Sequence, residues 1–170
     1  MTLPLRPQHG GFLRSFGCGE FVRDLLLGKG PHGAPRIDPA VGAPQADICH
    51  YYKNALLRAT AEDRAAASEE RRAKRVQQRI DPERIATLTE KYLARMPFKT
   101  SSCRYHSFVV YFSTLKRLGW VEPSGRKEPS ALQANYPKGH ARIFYRLTPA
   151  GRKAPASAWA NPYRTLYHKP

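Results

Sequence analysis

Acid is what this 170-residue chain lacks most: 13 Asp and Glu stand against 29 Lys and Arg, a formal net charge of +16. A chain so basic attracts polyanions and repels its own copies at low salt, which makes nucleic acid the default partner. Long apolar runs are missing too. Nothing approaches the roughly 18 consecutive apolar residues of a membrane span. The run at residues 25–27 falls far short of a signal peptide's apolar core. An anionic membrane surface is the competing partner, but it would call for a basic amphipathic helix with a bulky apolar face. The expected location is cytoplasmic.

Cysteine is sparse, with Cys18, Cys49 and Cys103 the three in the chain. An odd count at wide spacing supplies neither a disulfide framework nor a Cys-x-x-Cys metal knuckle. Cys49 and His50 are neighbours, so on a helix they point about 100° apart, and no metal site is expected. Catalytic signatures are equally thin. The glycines of "GFLRSFGCG" lack the Lys-Ser/Thr of a phosphate-binding loop, and no nucleophile motif or close His–carboxylate pair occurs. Neither an enzyme nor a cofactor is expected.

What the chain does have is charge gathered at one end. Residues 97–170 hold 13 Lys and Arg against 2 Asp and Glu, whereas residues 81–96 hold 3 of each. The contact surface for a polyanion therefore belongs to the C-terminal portion. Gly (12) and Pro (15) are plentiful, so loops and extended arms should be extensive around one core.

Periodicity divides the chain further. Residues 1–45 read as an N-terminal arm: a helix near residues 12–27, interrupted by Gly17 and Gly19, then the Gly/Pro-rich linker "GKGPHGAPRIDPAVGAP". Residues 46–80 predict a long helix. Its first half carries Ile48, Tyr51, Tyr52, Ala55, Leu56 and Ala59 on one stripe, and its second half is alanine and charge, a solvated face rather than a dimerising coiled coil. Asp81-Pro82-Glu83 is a helix start, with Asp81 as N-cap and Pro82 at the first helical position. That helix turns Ile85, Leu88, Tyr92 and Met96 to one face and stops before Pro97. The next starts among Thr100, Ser101 and Ser102 and stops at Gly119.

After Gly119 the period changes from helical to alternating. Trp120 and Val121 begin a short strand, residues 123–139 read as a long loop, and residues 142–148 form a second strand with Ile143, Tyr145 and Leu147 on one face. The predicted fold is mainly α with a small β wing. In this reading residues 46–154 form one domain (long helix 46–80, helix-turn-helix 81–119, wing 120–148), and residues 155–170 trail as a basic aromatic tail.

The stretches "FSTLKRLGWVEPSG" and "ARIFYRLTPAGRKA" resemble the second half of the winged helix-turn-helix domains of MarR-type and PadR-type transcription regulators. In that family a recognition helix ends in a Leu-x-x-Leu-Gly turn and the return strand reads Tyr-x-Leu-Thr-x-x-Gly. Leu115, Leu118, Gly119, Tyr145, Leu147, Thr148 and Gly151 occupy those positions here. The resemblance covers about residues 81–154 and implies a DNA-binding regulator whose third helix enters the major groove while the wing touches backbone.

With Leu115 inward, helical phase places Arg104, Phe108, Tyr111, Phe112 and Leu118 on the inner half and Ser102, His106, Val109, Val110, Ser113 and Arg117 on the outer half. The valines could meet thymine methyl groups or pack against protein. Candidates for base or phosphate contact are Lys99, Thr100, Ser101, Ser102, Arg104 and His106 near the helix start, and Arg117 farther along. On the wing they are Arg126, Lys127, Lys138, His140 and Arg142. DNA is the favoured partner, with RNA as the alternative, and the chain could act as a homodimer. The competing function is a non-catalytic basic subunit of a larger nucleoprotein assembly, in which the winged helix docks and the arms thread between partners.

Overall fold

A computed structural model describes residues 8–9, 12–13, 16–101, 103–129 and 141–167, with backbone alone at 8–9, 12–13, 98–99 and 129. It is mainly helical, with a small three-stranded antiparallel sheet. The chain forms two compact units: Met1–Phe16 with Lys53–Ser102, and Gly17–Tyr52 with Cys103–Pro170. Of the three divisions, one follows Phe16, one falls inside a long helix and one lies just ahead of Cys103, so the helix after Asp81 and the helix before Gly119 belong to different units. Among the described residues no helix is long and apolar enough to cross a membrane.

In the first unit, β1 (Gln8–His9) pairs antiparallel with β2 (Phe12–Leu13). The helix expected near residues 12–27 therefore begins only at Cys18, after an extended Gly17. The long helix α2 (Gln45–Val76) crosses into this unit at Lys53. Its second half is not merely a solvated face: Ala61, Ala65, Glu69 and Ala73 are buried at strict four-residue spacing. Small side chains at that interval keep a narrow stripe out of water where large apolar residues are missing. The following helix α3 (Pro82–Arg95) starts as its sequence dictates, the Asp81 carboxylate accepting the Glu83 N–H at 3.0 Å. Arg58 donates to Glu90 at 3.0 Å and ties α2 to α3.

The second unit is built around α1 (Cys18–Leu26), the first two turns of α2, and α4 (Tyr105–Arg117). Phe21, Val22, Leu25 and Leu26 of α1 are buried, as are Ile48 and Tyr52 of α2, and the rings of Phe21 and Tyr52 lie 5.3 Å apart. Phe108, Phe112 and Leu115 form the inner face of α4, and Phe112 meets Tyr145 edge-on at 5.2 Å. The helix closes with Gly119 in the left-handed region (φ 72) and the Trp120 N–H returning to the Leu115 carbonyl at 3.1 Å.

The sheet orders β3 (Ala43–Pro44), β5 (Ala141–Leu147) and β4 (Val121–Pro129), all antiparallel, with β5 in the middle. Two parts of it depart from expectation. The Gly/Pro-rich linker ends as a strand: Gly42 has φ 73, and a Cβ there would stand 1.7 Å from the Tyr145 carbonyl oxygen, so only glycine lets the chain approach β5 this closely. The short strand expected at Trp120 and Val121 also runs on, as β4, through Pro123 to Pro129. Pro123 is tolerated because β4 is an edge strand, and residues 124–126 bulge opposite the single residue Phe144.

The C-terminal tail is a further correction, because residues 149–167 fold as α5 (Pro149–Lys153), α6 (Ala156–Ala160) and α7 (Pro162–Tyr167). Trp159 anchors them. Its ring is fully buried, lies 4.6 Å from that of Trp120, and donates Nε1–H to the Gly151 carbonyl at 3.0 Å. The Thr-x-x-Gly motif has a local cause: the Thr148 hydroxyl caps α5 by accepting the Gly151 N–H at 3.0 Å. A Cβ on Gly151 would sit 2.3 Å from the Trp120 carbonyl oxygen. α6 packs on α1, and α7 packs on α4.

Candidate nucleic-acid interface

Arg104 was expected on the inner half of the third helix, but it precedes that helix as its extended N-cap (φ −82, ψ 139) and is exposed. Helical phase does not apply to a residue outside the helix. His106, Ser113 and Arg117 are exposed as the phase predicts, Val109 is half-buried, and Val110 is 53% exposed. Thr100 is half-buried and Ser101 is buried; both lie in a 3-10 turn, Phe98–Ser101, of the first unit. Lys99 is described by its backbone alone, and Ser102, Lys138 and His140 lie outside the described residues.

The arginines of β4 and β5 are engaged within the protein. Arg126 bonds Glu128 through Nε at 3.1 Å and lays its guanidinium 5.0 Å from the Phe144 ring. Arg142 is paired with Asp47 at the start of α2, and Arg146 with Glu122 at 3.1 Å. The Asp47 charge is also felt by Tyr51, whose phenol pKa is pushed up first by burial and then by that carboxylate, with Arg142 opposing. Lys127 is exposed and has no carboxylate partner among the described residues.

These pairs consume both acidic residues of the segment 103–167, Glu122 and Glu128. Arg104, Lys116, Arg117, Lys127, Arg152, Lys153 and Arg164 are then left with no carboxylate partner among the described residues. Lys116 lies 4.6 Å over the Tyr145 ring, a cation–π contact that leaves its charge uncompensated.

Where α7 packs on α4, charge and aromatic surface meet. Arg117 donates from Nη1 to the Tyr167 hydroxyl at 3.0 Å, and its guanidinium carbon is 5.8 Å from the same ring. Tyr163 and Tyr167 lie 4.6 Å apart and are 58% and 51% exposed. With Asn161 and Arg164 they line an open hollow of about 490 Å³. Sequence reasoning named Arg117 and missed Tyr163, Arg164 and Tyr167. The signal was the tail's spacing, because Tyr163 and Tyr167 stand at i and i+4 and so share a face once the segment is helical.

No group of three His, Cys, Asp or Glu able to hold a metal occurs among the described residues. Family models, curated proteins and solved structures offer no match to this chain.

Proposed function

We propose that the protein binds nucleic acid, and that it does so chiefly through the α4–α7 face of the second unit rather than through the wing. The observation that carries this reading is the Arg117–Tyr167 pair beside Tyr163 and Arg164. A guanidinium already held in place loses less freedom on meeting a phosphate, and four of its five N–H donors stay available. Exposed tyrosines next to it add ring faces on which bases stack. The seven uncompensated cations of residues 103–167 supply the long-range attraction.

The finer reading is a winged-helix, DNA-binding transcriptional regulator, in which α4 is the recognition helix and β4–β5 the wing. The order α4, Gly119 turn, β4, β5 and the Thr148 cap support it. A second reading, a docking subunit of a nucleoprotein assembly, is favoured by the exposed Val110 and by the internal pairing of the wing arginines.

Fluorescence anisotropy with one labelled 30-mer, offered as duplex and as single strand over a salt series, separates these readings. The regulator reading expects duplex binding that weakens steeply with salt and improves on a selected site. Equal, sequence-indifferent binding favours the assembly subunit. No binding to either form at low salt refutes the proposal.

A further inference from the structure

The first unit holds a second cationic feature that owes nothing to the α4–α7 face. Ser68, Arg71, Arg72 and Arg75 fall at i, i+3, i+4 and i+7 on α2, which places them on one stripe. Together with Arg84 and Leu88 of α3 they line a hollow of about 360 Å³. At its base is Glu69, fully buried. Its Oε1 accepts Arg72 Nη2 at 2.6 Å and the Asp81 backbone N–H at 3.1 Å; its Oε2 accepts Arg72 Nε at 2.8 Å and Arg84 Nε at 3.2 Å. The Arg72 hydrogen bonds, followed by the Asp81 N–H and the two arginine charges, hold this carboxyl at about 2 against the effect of burial.

Glu69 thus orients two guanidinium groups while cancelling only one of the hollow's four positive charges. Arg72 is further fixed by Gln78 at 3.1 Å. Arg84 commits its Nε and keeps both Nη groups for another partner. Arg71 and Arg75 are exposed and have no carboxylate partner among the described residues. Asp81, whose N–H reaches Glu69, is occupied in capping α3, and the neighbouring acids Glu70 and Glu83 are exposed and do not line the hollow. Charges on a solvated helix alternate with acids that answer them. Here the one acid lining the hollow lies buried beneath the arginines, and positive charge is concentrated at its mouth.

We infer that this four-arginine hollow is a phosphate-binding site, built to take a phosphate ester. Preoriented guanidinium forks match the geometry and charge of phosphate oxygens. A volume of about 360 Å³ exceeds what a bare phosphate fills and leaves room for an attached sugar. The phosphate could belong to a free nucleotide or to a polynucleotide backbone.

The test titrates the full chain at low ionic strength with pyrophosphate, and separately with a ten-residue oligonucleotide, while following the arginine Nε–H resonances by NMR. Pyrophosphate should shift Arg72 and Arg84 saturably. Arg71→Ala/Arg75→Ala, which changes exposed side chains, should keep the wild-type melting temperature and weaken pyrophosphate at least about tenfold, the loss expected when charge-assisted hydrogen bonds are removed. An oligonucleotide that moves the same resonances and is displaced by pyrophosphate identifies a polynucleotide backbone; one that leaves them unmoved identifies a small phosphate ester. Arg117→Ala/Arg164→Ala, which lie outside the hollow, should leave the pyrophosphate affinity read at the Arg72 and Arg84 resonances unchanged, so failure here is distinct from failure of the α4–α7 face. Absence of saturable shifts, or undiminished affinity in the Arg71/Arg75 variant, overturns the inference.

Discussion

Replacing Trp159 asks whether residues 155–170 are part of the fold or an appendage. The indole is fully buried, lies 4.6 Å from Trp120 and donates to the Gly151 carbonyl at 3.0 Å. Truncating a buried aromatic to alanine costs about 3–5 kcal/mol, and the lost hydrogen bond adds about 0.5–1.5 kcal/mol. Against a typical stability of about 5–15 kcal/mol, Trp159→Ala should leave the second unit barely folded. Trp159→Phe keeps most of the apolar contact and loses the donor, so its cost should be closer to about 1–3 kcal/mol. Urea melts read this directly, because Trp120 is then the sole tryptophan and reports the neighbourhood of the lost ring. The midpoint should fall in the order wild type, Phe, Ala. A loss under about 0.5 kcal/mol for Trp159→Ala, the size of a surface substitution, would return these residues to the status of a tail and remove the support beneath α7.

Three further substitutions probe the two units separately. Leu115→Ala, at the fully buried centre of α4, should cost about 2–5 kcal/mol in a denaturant melt, whereas Arg117→Ala should stay within about 0.5 kcal/mol and weaken nucleic-acid binding instead. Glu69 has its folded-state pKa depressed from 4.5 to about 2, so the stability it contributes is present above 4.5 and lost as pH falls through 2. Glu69→Gln should be less stable at neutral pH and should flatten the loss of stability over that acid window. An acid transition unchanged in Glu69→Gln would show that the arginine cluster does not hold this carboxylate.

The elements legible in the sequence were those whose cause is local. Asp81-Pro82 announces α3 because a cap and a proline act within one turn. Gly119 announces the end of α4 because the left-handed residue is the closing device itself. The alternation of residues 141–147 announces β5. What was not legible depends on partners distant in the chain. β3 is a strand only because Gly42 allows its approach to Tyr145, and nothing in "GKGPHGAPRIDPAVGAP" points to that partner. The tail looks polar and loose until Trp159 finds Trp120. Arg142 reads as a free cation because Asp47, which pairs with it, is 95 positions away. Glu69 looks like one more charge on a solvated helix, and its burial depends on Asp81 and Arg84 arriving from the next element.

Binding through the α4–α7 face is read from the salt dependence of nucleic-acid affinity in two paired variants. Each phosphate contact contributes close to one unit to the slope of log affinity against log salt. Arg117→Ala/Arg164→Ala should therefore lower that slope by about two units on duplex DNA, while Arg126→Ala/Arg142→Ala, whose side chains already face Glu128 and Asp47, should leave it nearly unchanged. The reverse pattern, with the wing pair flattening the slope and the α4–α7 pair leaving it intact, would contradict the account.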